Sequence, residues 1–348
     1  MKKVLIAMSG GVDSSVAAWK LKNDGYDCIG AMMKLFYGES SCCSVSDAND
    51  ARAVALNMGI PFYVFNFTDS FESQVIERFI HAYENGMTPN PCIDCNRYLK
   101  FRRFLKRASD IECDYIATGH YARVFKSNDR YLLQKGLDAS KDQSYVLYAM
   151  TQNELSGTLF PLGGMSKTEV REIALANGFI NADKPDSQDI CFAPDGDYAG
   201  FIQSRCGALP AKGYFKDENG NILGEHKGLI HYTIGQRRGL GISASSPLYV
   251  LDVVPAANTV VVGTNDKLFK SELIANDINM IAVEKLDRPL RIKAKIRYRH
   301  TEQPATVRQL DEDALHVAFD TPQRAITKGQ AVVLYDGDIV IGGGTISG

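Results

Sequence analysis

The apolar run Val4-Leu5-Ile6-Ala7 leads straight into Met8-Ser9-Gly10-Gly11-Val12-Asp13-Ser14-Ser15-Val16. A strand that turns through two glycines into a helix restricts the fold and the ligand together. Without a Cβ, Gly10 and Gly11 let the backbone approach phosphate oxygens and aim its amides at them, while Ser9, Ser14 and Ser15 add hydroxyl donors. The helix predicted over residues 12–22 points the positive end of its dipole at the same spot. Asp13 repels a bare phosphate, so its expected task is to hold a Mg²⁺ that bridges the leaving oxygens. The lysine of a GxxxxGK[ST] loop is missing, which argues against γ-phosphate transfer. The plain alternative is a glycine turn before an ordinary helix, but the order strand, double glycine, Asp, Ser pair demands more than that turn needs.

At 348 residues the chain is long for one domain and predicts two or three, each able to bury a core. With 45% apolar and 23% charged residues and no low-complexity tract or internal repeat, it reads as ordinary globular protein. Lys2-Lys3 precede too short an apolar stretch for a signal sequence, and no window approaches the roughly 18 apolar residues of a membrane span. A cytoplasmic protein without a membrane partner is the expectation. Eight cysteines in that compartment read as thiols, metal ligands or catalysts rather than as a disulfide framework. The net charge of −2 gives no global sign of nucleic acid binding, so a polyanion would have to be met by local patches.

From residue 1 to about 198, strand-like runs at Val4–Met8, Cys28–Met33, Phe62–Phe67 and Tyr115–Thr118 alternate with helical patterns near 12–23, 47–58, 70–84 and 95–108. That alternation predicts an α/β fold, a parallel sheet with helices on both faces. Nucleotides sit outside the carboxyl ends of such strands, so Ser9-Gly10-Gly11, Met33 and Gly119-His120 should converge there. A helix near 166–177 ends at Gly178, and the Asp- and Pro-rich segment 181–197 reads as a functional loop or domain edge. Residues 199–267 are rich in glycine and short strands, suggesting a small mixed domain. Residues 268–348 read as β, with period-two segments at 291–299 and 314–319 and a terminal hairpin around Asp336-Gly337, for which a small β-barrel is the natural closure.

The segment Thr88-Pro89-Asn90-Pro91-Cys92-Ile93-Asp94-Cys95-Asn96-Arg97 holds a CxxC between prolines and a basic helix. Cys95 at that helix's start, beside Arg97, is placed to favour a thiolate. Cys191 lies in an acidic, loop-like setting, Asp186-Ser187-Gln188-Asp189-Ile190-Cys191-Phe192. A low-pKa nucleophile and a sulfur carrier is one pairing that fits. Zinc would need a second pair at finger-like spacing, and none follows. Cys92, Cys95 and Cys191 could instead hold a [4Fe–4S] cluster with one iron left open. Cys28, Cys113 and Cys206 read as packing residues, and Cys42-Cys43 as structural or idle.

Arg291, Lys293, Lys295, Arg297 and Arg299 alternate with Ile292, Ala294, Ile296 and Tyr298, so a strand through 299 would carry five cations on one face. A second cluster, Arg97, Lys100, Arg102, Arg103, Lys106 and Arg107, follows the CxxC. Lys141-Asp142-Gln143-Ser144-Tyr145 and Gln236-Arg237-Arg238-Gly239 add polar and cationic groups. Each patch alone is compatible with a solvated face; four of them beside a phosphate loop shift the reading toward RNA.

SGGVDSS resembles the PP-loop of ATP pyrophosphatases, which split ATP between its α- and β-phosphates and activate an oxygen by adenylation. SGGVDSS, TPNPCIDCNRYLKF, ATGHYAR, KDQSYVL, SQDICF and IRYRH, in this order over essentially the whole chain, resemble the bacterial tRNA-specific 2-thiouridylase (MnmA, or TrmU) family. The resemblance implies a PP-loop domain, a small central domain and a C-terminal β-barrel that grip the anticodon stem-loop of tRNAs for Lys, Glu and Gln and thiolate C2 of uridine 34. It implies that Ala7, Met8, Ser9, Gly10, Gly11, Val12, Asp13, Ser14, Met33 and Gly119 bind ATP. It also implies that Cys191 receives sulfur as a persulfide from a cysteine desulfurase or sulfur relay protein, and that Cys95 is the partner nucleophile. The persulfide attacks C2 directly, or it becomes hydrosulfide as Cys95 closes a transient disulfide with Cys191. Asn90, Pro91 and Cys92 align with the segment that meets the target base; Lys141, Asp142, Gln143, Arg297, Tyr298 and Arg299 align with tRNA contacts. Some relatives carry an acid–base Asp where this chain has Cys92, and Asp94 is displaced in register, which keeps the cluster alternative open. Two rivals remain. A PP-loop amide-forming ligase would need neither Cys95 nor Cys191, and a tRNA-binding or iron–sulfur scaffold would not need an intact Ser9, Gly10, Gly11, Asp13 and Ser14.

Overall fold

Val4, Leu5 and Ile6 are wholly buried, as residues must be in a strand covered on both faces. They form the middle of β1 (Lys3–Ala7). The computed structural model describes residues 1–36, 44–185, 190–193, 196–207 and 211–348, which divide into two units.

The first unit comprises residues 1–76, 91–196 and 338–341. Its parallel sheet sets β1 between β2 (Asp27–Lys34) and β4 (Tyr115–Ala117), with β3 (Phe62–Asn66) and β7 (Thr158–Leu159) at the edges. The chain therefore departs from β1 toward β2 and β3 and later returns to β1's other side. This reversal opens a crevice between the carboxyl ends of β1 and β4. Helix α1 (Val12–Asn23) buries Val16, Ala17, Ala18 and Leu21 against the sheet, and α2 (Val45–Asn57) buries Ala51, Val54 and Ala55 in the same core. The fully buried alanines let these helices lie close to the sheet, α1 over β1 and α2 over β2 and β3. The Lys167–Ala176 helix adds Val170 and Ala174, and the chain turns after it at Gly178. These elements lie within two or three residues of the predicted ones.

Three features differ from expectation. A hairpin, β5 (Ala122–Ser127) and β6 (Arg130–Lys135), turns at the left-handed Asn128 and receives Ile339 and Val340 beside β6. The helix expected over 95–108 runs from Pro91 to Asp110, so Cys95 sits a turn inside it rather than at its start. Proline's fixed φ and missing N–H suit a first helical position, which is why the helix opens there. Finally, the chain winds as a π-helix over Cys95–Arg103, and again over Glu72–Ile76.

The second unit comprises residues 77–90, 197–337 and 342–348. A four-stranded sheet orders β10 (Tyr249–Val254), β11 (Thr259–Gly263), β8 (Gly213–Lys216) and β9 (Ile222–His226) around Phe215, Tyr232, Val250, Val260 and Val262. The remaining strands, β12 (Phe269–Met280), β15 (Leu315–Arg324), β14 (Gln303–Gln309), β13 (Leu290–Lys295), β16 (Ala331–Asp336) and β17 (Ile339–Ile346), follow one another in that order. Pairing of β12 with β17, from Ala275–Ile346 to Met280–Gly342, closes them into a barrel. Inward residues alternate as closure requires: Ile292 and Ala294, Ala305 and Val307, Leu315, Val317 and Phe319.

The five-cation strand does not form. β13 ends at Lys295, and the chain turns so that His300 N–H donates to the Arg297 carbonyl at 3.0 Å. Arg297, Tyr298 and Arg299 therefore lie in a turn, and Arg291 is paired with Asp320. Cys206, read as a packing residue, is exposed.

Phe101 is wholly buried on the 91–110 helix, with its ring 5.8 Å from His120 and 5.9 Å from Phe160. Phe101→Ala should lower unfolding stability by about 3–5 kcal/mol. Urea unfolding followed by circular dichroism measures this, and a loss below about 1 kcal/mol would show that the cluster does not anchor the helix.

Candidate active site

The loop after β1 is fixed from below and from both sides. Met8 N–H donates to the Ala31 carbonyl of β2 at 2.8 Å. Ser9 N–H donates to Ser14 Oγ (3.2 Å), and that hydroxyl donates to the Gly11 carbonyl (2.9 Å). Gly10 adopts φ +78°, and a Cβ there would stand 2.4 Å from the Asp47 carbonyl oxygen, so only glycine fits. The Gly10 carbonyl accepts from Asn181 Nδ2 at 2.9 Å and from Lys184 Nζ at 3.4 Å. Asn181 also donates to Ser15 Oγ at 2.9 Å. Helix α2 and the Lys167–Ala176 helix begin in capping boxes, Ser44 with Asp47 and Ser166 with Glu169. Helix α1 begins at Gly11 with no side-chain cap. Its first-turn amides are thus left to an outside acceptor, which suits a phosphate.

Gly119, after β4, packs against this helix start: a Cβ there would be 2.9 Å from Asp13 C and Ser14 N. Met33 is buried in β2, two residues beyond Ala31, the partner of Ala7. The Asp13 carboxylate accepts from Lys167 Nζ at 2.7 and 2.8 Å and from Tyr121 Oη at 2.8 Å. Tyr121, Lys167, Asn181 and Lys184 were not singled out in the sequence. Lys167 had left a signal, since a lysine in the first turn of a capped helix works against the helix dipole unless it has another partner.

Lys184 also donates to Asp47 at 2.6 Å and Asp50 at 2.8 Å. Burial alone would raise the Asp47 carboxyl, but the hydrogen bonds from Lys184 and Ser44 outweigh it and hold Asp47 below the ordinary 3.8. A carboxylate lowered on folding adds stability above its unfolded pKa and loses it as pH falls through the folded value. The native chain should exceed Asp47→Asn by roughly 1–3 kcal/mol at pH 7. Urea titrations at successive pH values should show that gap closing once pH drops below 3.8; a gap that widens in acid would give the pair the wrong sign.

Cys95 is 6% exposed. Burial pushes its thiol from an ordinary 9.0 up to about 12; Lys100 opposes the rise, while Cys191, Cys92 and Asp94 add to it. The expected thiolate is thus corrected: a helix interior surrounded by apolar groups raises the pKa more than the nearby cations lower it. Cys92, Cys191 and Lys100 thus all act on the Cys95 thiol through their charges. Phe192, next to Cys191, sets its ring edge-to-face on Phe71 at 5.8 Å. His120 is buried, with Nδ1 2.7 Å from Thr118 Oγ1; burial, aided by Lys100, drives its pKa well below 6.5 and keeps the ring neutral. Among the described residues no three His, Cys, Asp or Glu side chains are grouped so as to hold a metal ion. Cys42, Cys43 and Asp186-Ser187-Gln188-Asp189 lie outside the described residues.

Three family descriptions match in succession: a tRNA methyl transferase HUP domain over residues 2–195, a tRNA methyl transferase PRC-barrel domain over 199–264 and an aminomethyltransferase beta-barrel domain over 270–346. The chain is 53% identical to the tRNA-specific 2-thiouridylase MnmA of Clostridioides difficile (strain 630), over 99% of this chain and 98% of that one. It is 51% identical to the protein of the same name from Lachnoclostridium phytofermentans, over 99% of each. The chain belongs to the tRNA-specific 2-thiouridylase MnmA family. A solved U34-tRNA thiolase from Methanococcus maripaludis is 16% identical, covers 59% of this chain and 66% of its own, and superposes with a TM-score of 0.37. That distant likeness carries no argument about chemistry.

The residues expected to meet RNA in this MnmA family member are distributed over both units. Pro91 and Cys92 open the helix of the first unit, and Asn90 ends a segment of the second. Asp142 accepts from Gly136 N–H, Ser144 N–H and Ser144 Oγ, and Gln143 Oε1 accepts from Tyr121 N–H at 3.0 Å. Both side chains thereby brace their own loop, and Gln143 reaches Asp13 through Tyr121. Arg297 Nη1 donates to the Arg324 carbonyl at 3.2 Å, while Tyr298 and Arg299 are exposed.

A thiol raised from 9.0 to about 12 exposes about a thousandfold less thiolate at pH 8. Iodoacetamide at pH 8 should alkylate the exposed Cys206 well before Cys95, as peptide mass spectrometry would follow. Equal labelling of Cys95 would contradict its burial.

Proposed function

We propose that this chain uses ATP to adenylate the C2 oxygen of uridine 34 in tRNAs for Lys, Glu and Gln, then replaces that oxygen with sulfur from a protein persulfide, giving 2-thiouridine, AMP and pyrophosphate. The observation that carries the reading is an uncapped α1 N-terminus at a double-glycine turn in the same unit as the two thiols Cys95 and Cys191.

Residues Ala7–Ser14, Met33 and Gly119 form the ATP site in this reading, with backbone amides directed at the phosphates. Asp13 is the residue that would hold Mg²⁺, which supplies charge neutralisation on the leaving pyrophosphate. The uridine O2 attacks the α-phosphorus and pyrophosphate leaves, so C2 then carries AMP, a competent leaving group. The terminal sulfur of a Cys191 persulfide attacks C2 and displaces AMP. The Cys95 thiolate next attacks the Cys191 sulfur; the sulfur–sulfur bond to the base breaks, 2-thiouridine departs and a Cys95–Cys191 disulfide remains for an external thiol to reduce. In the other order, Cys95 cleaves the persulfide first and the released hydrosulfide attacks C2. Either route requires Cys95 to lose its proton, and Lys100 is the cation that favours this. The persulfide donor is a cysteine desulfurase or sulfur relay protein.

We read residues 1–198 as the catalytic domain, 199–267 as a small central domain and 268–348 as an RNA-gripping barrel, a division supported by the three successive family matches. Asn90, Pro91 and Cys92 are assigned to the target base, and Lys141 with the turn Arg297-Tyr298-Arg299 to the tRNA backbone. No helix among the described residues is long and apolar enough to cross a membrane.

The test is to incubate the chain, purified without oxygen, with ATP, Mg²⁺, a persulfide source and tRNA for Lys, and to measure nucleosides by mass spectrometry with iron content recorded. Thiolated uridine 34 should form, fall to background in Cys95→Ala and Cys191→Ala, and persist in Cys92→Ala without iron. Loss of activity together with bound iron in Cys92→Ala would replace the two-thiol route by a cluster. AMP release without thiolated uridine would overturn the substrate assignment.

A further inference from the structure

Strand β3 is an edge of the parallel sheet, and its side chains are unusual for such an edge. Tyr63, Phe65 and Phe67 lie on one face with near-parallel rings whose centroids are 6.5 and 6.4 Å apart. From the neighbouring helix the Arg107 guanidinium lies 5.3 Å from the Phe65 centroid and that of Arg103 lies 5.3 Å from the Phe67 centroid. Both arginines are exposed. Tyr63 is 53% exposed and Phe65 is half-buried, while Phe67 is buried beneath Arg103 and forms the base of the row; among the described residues no cation covers the Tyr63 ring. The segment from Arg97 to Asp110 holds six cations and one acid; Asp110 lies 3.6 Å from Arg107, and Glu154 lies 3.6 Å from Arg102, which leaves a net positive face. Four strand steps from Tyr63 to Phe67 span about 13 Å. Beyond Phe67 the chain continues to Phe71, whose ring meets that of Phe192 beside Cys191.

We propose that the Tyr63–Phe65 edge, with Arg103 and Arg107 beside it, is a docking strip for unpaired RNA of the substrate tRNA, lying outside the reaction centre. This rests on the reading above that the substrate is a tRNA. Aromatic faces beside guanidiniums hold bases and phosphates together: the ring stacks on a base, and the planar fork, placed by cation–π contact and at Arg103 by a hydrogen bond to Ser70, has further N–H donors for phosphate. The excess of positive charge selects a polyanion over a neutral protein strand added to the same edge. The chain that leaves the strip reaches Phe71, which packs on Phe192 next to Cys191, so the strip lies on an element that leads toward the sulfur.

The experiment compares the full chain with Tyr63→Ala, Tyr63→Phe and the double variant Arg103→Gln/Arg107→Gln, reading tRNA binding by fluorescence anisotropy across a salt series, thiolation kinetics and the thermal unfolding midpoint. Tyr63→Ala should weaken tRNA binding roughly tenfold, Tyr63→Phe should restore it, and both should raise or keep KM accordingly with kcat unchanged. The arginine double variant should lower the slope of log affinity against log salt by about 1.5. Unchanged affinity and slope in variants that melt like the parent would overturn the strip. So would intact tRNA affinity with lost sulfur uptake from a cysteine desulfurase, which would make the edge a protein-docking site. Failure of the parent chain to bind or thiolate tRNA would instead refute the substrate reading on which the strip rests.

Discussion

The turn at Gly10 is the constraint on which the nucleotide site depends. Its left-handed backbone lies against the Asp47 carbonyl, closer than a side chain would allow, and its own carbonyl is held by Asn181 and Lys184. Three stretches distant in sequence, the β1 loop, the start of α2 and the segment after the Lys167–Ala176 helix, meet at one peptide. With that peptide fixed, the amides of the following turn point into the crevice beside β4, where Gly119 closes the other wall. The direction of the donors is set before any ligand arrives, so binding does not have to order them.

Asp13 shows how the same loop can carry an acid at a place meant for polyphosphate. Its carboxylate is neutralised by the Lys167 ammonium and steadied by the Tyr121 phenol, so an approaching anion meets amide dipoles and a paired charge rather than a bare carboxylate. Tyr121 is held in turn, since its backbone exchanges hydrogen bonds with Gln143. A loop expected to touch RNA is thereby coupled to the residue expected to touch the metal. The side chain of Gln143 makes that coupling, while Asp142 braces the loop at Gly136 and Ser144.

The sheet, its flanking helices and the terminal barrel were legible in the sequence because their signals are local: an apolar run before a double glycine, period-two strands, a helix ending at Gly178. The β5–β6 hairpin was less so, because its half-buried strands resemble a loop and its turn depends on Asn128 taking a positive φ. The run Arg291 to Arg299 alternated well beyond Lys295, yet alternation states only which face a residue would take if the strand continued, and the barrel turns before Arg297. Glycines and serines of the loop could be named in advance. Lys184, Asn181 and Lys167 could not, since what places them is the folding of residues more than 130 positions away onto the loop and α2.

Cys95 shows the same limit for chemistry. A cysteine near a helix start and an arginine reads as a reactive thiolate, yet the helix begins at Pro91, and the turn this adds carries Cys95 inside. There, desolvation outweighs the help of Lys100 and the thiol stays protonated. A thiol held this way does not attack disulfides or metals at random. It becomes useful once sulfur chemistry at Cys191 places an electrophilic sulfur within reach, because a thiolate of high intrinsic pKa is the stronger nucleophile when it does form. Burial thus exchanges readiness for selectivity, and Lys100 sets how much readiness remains.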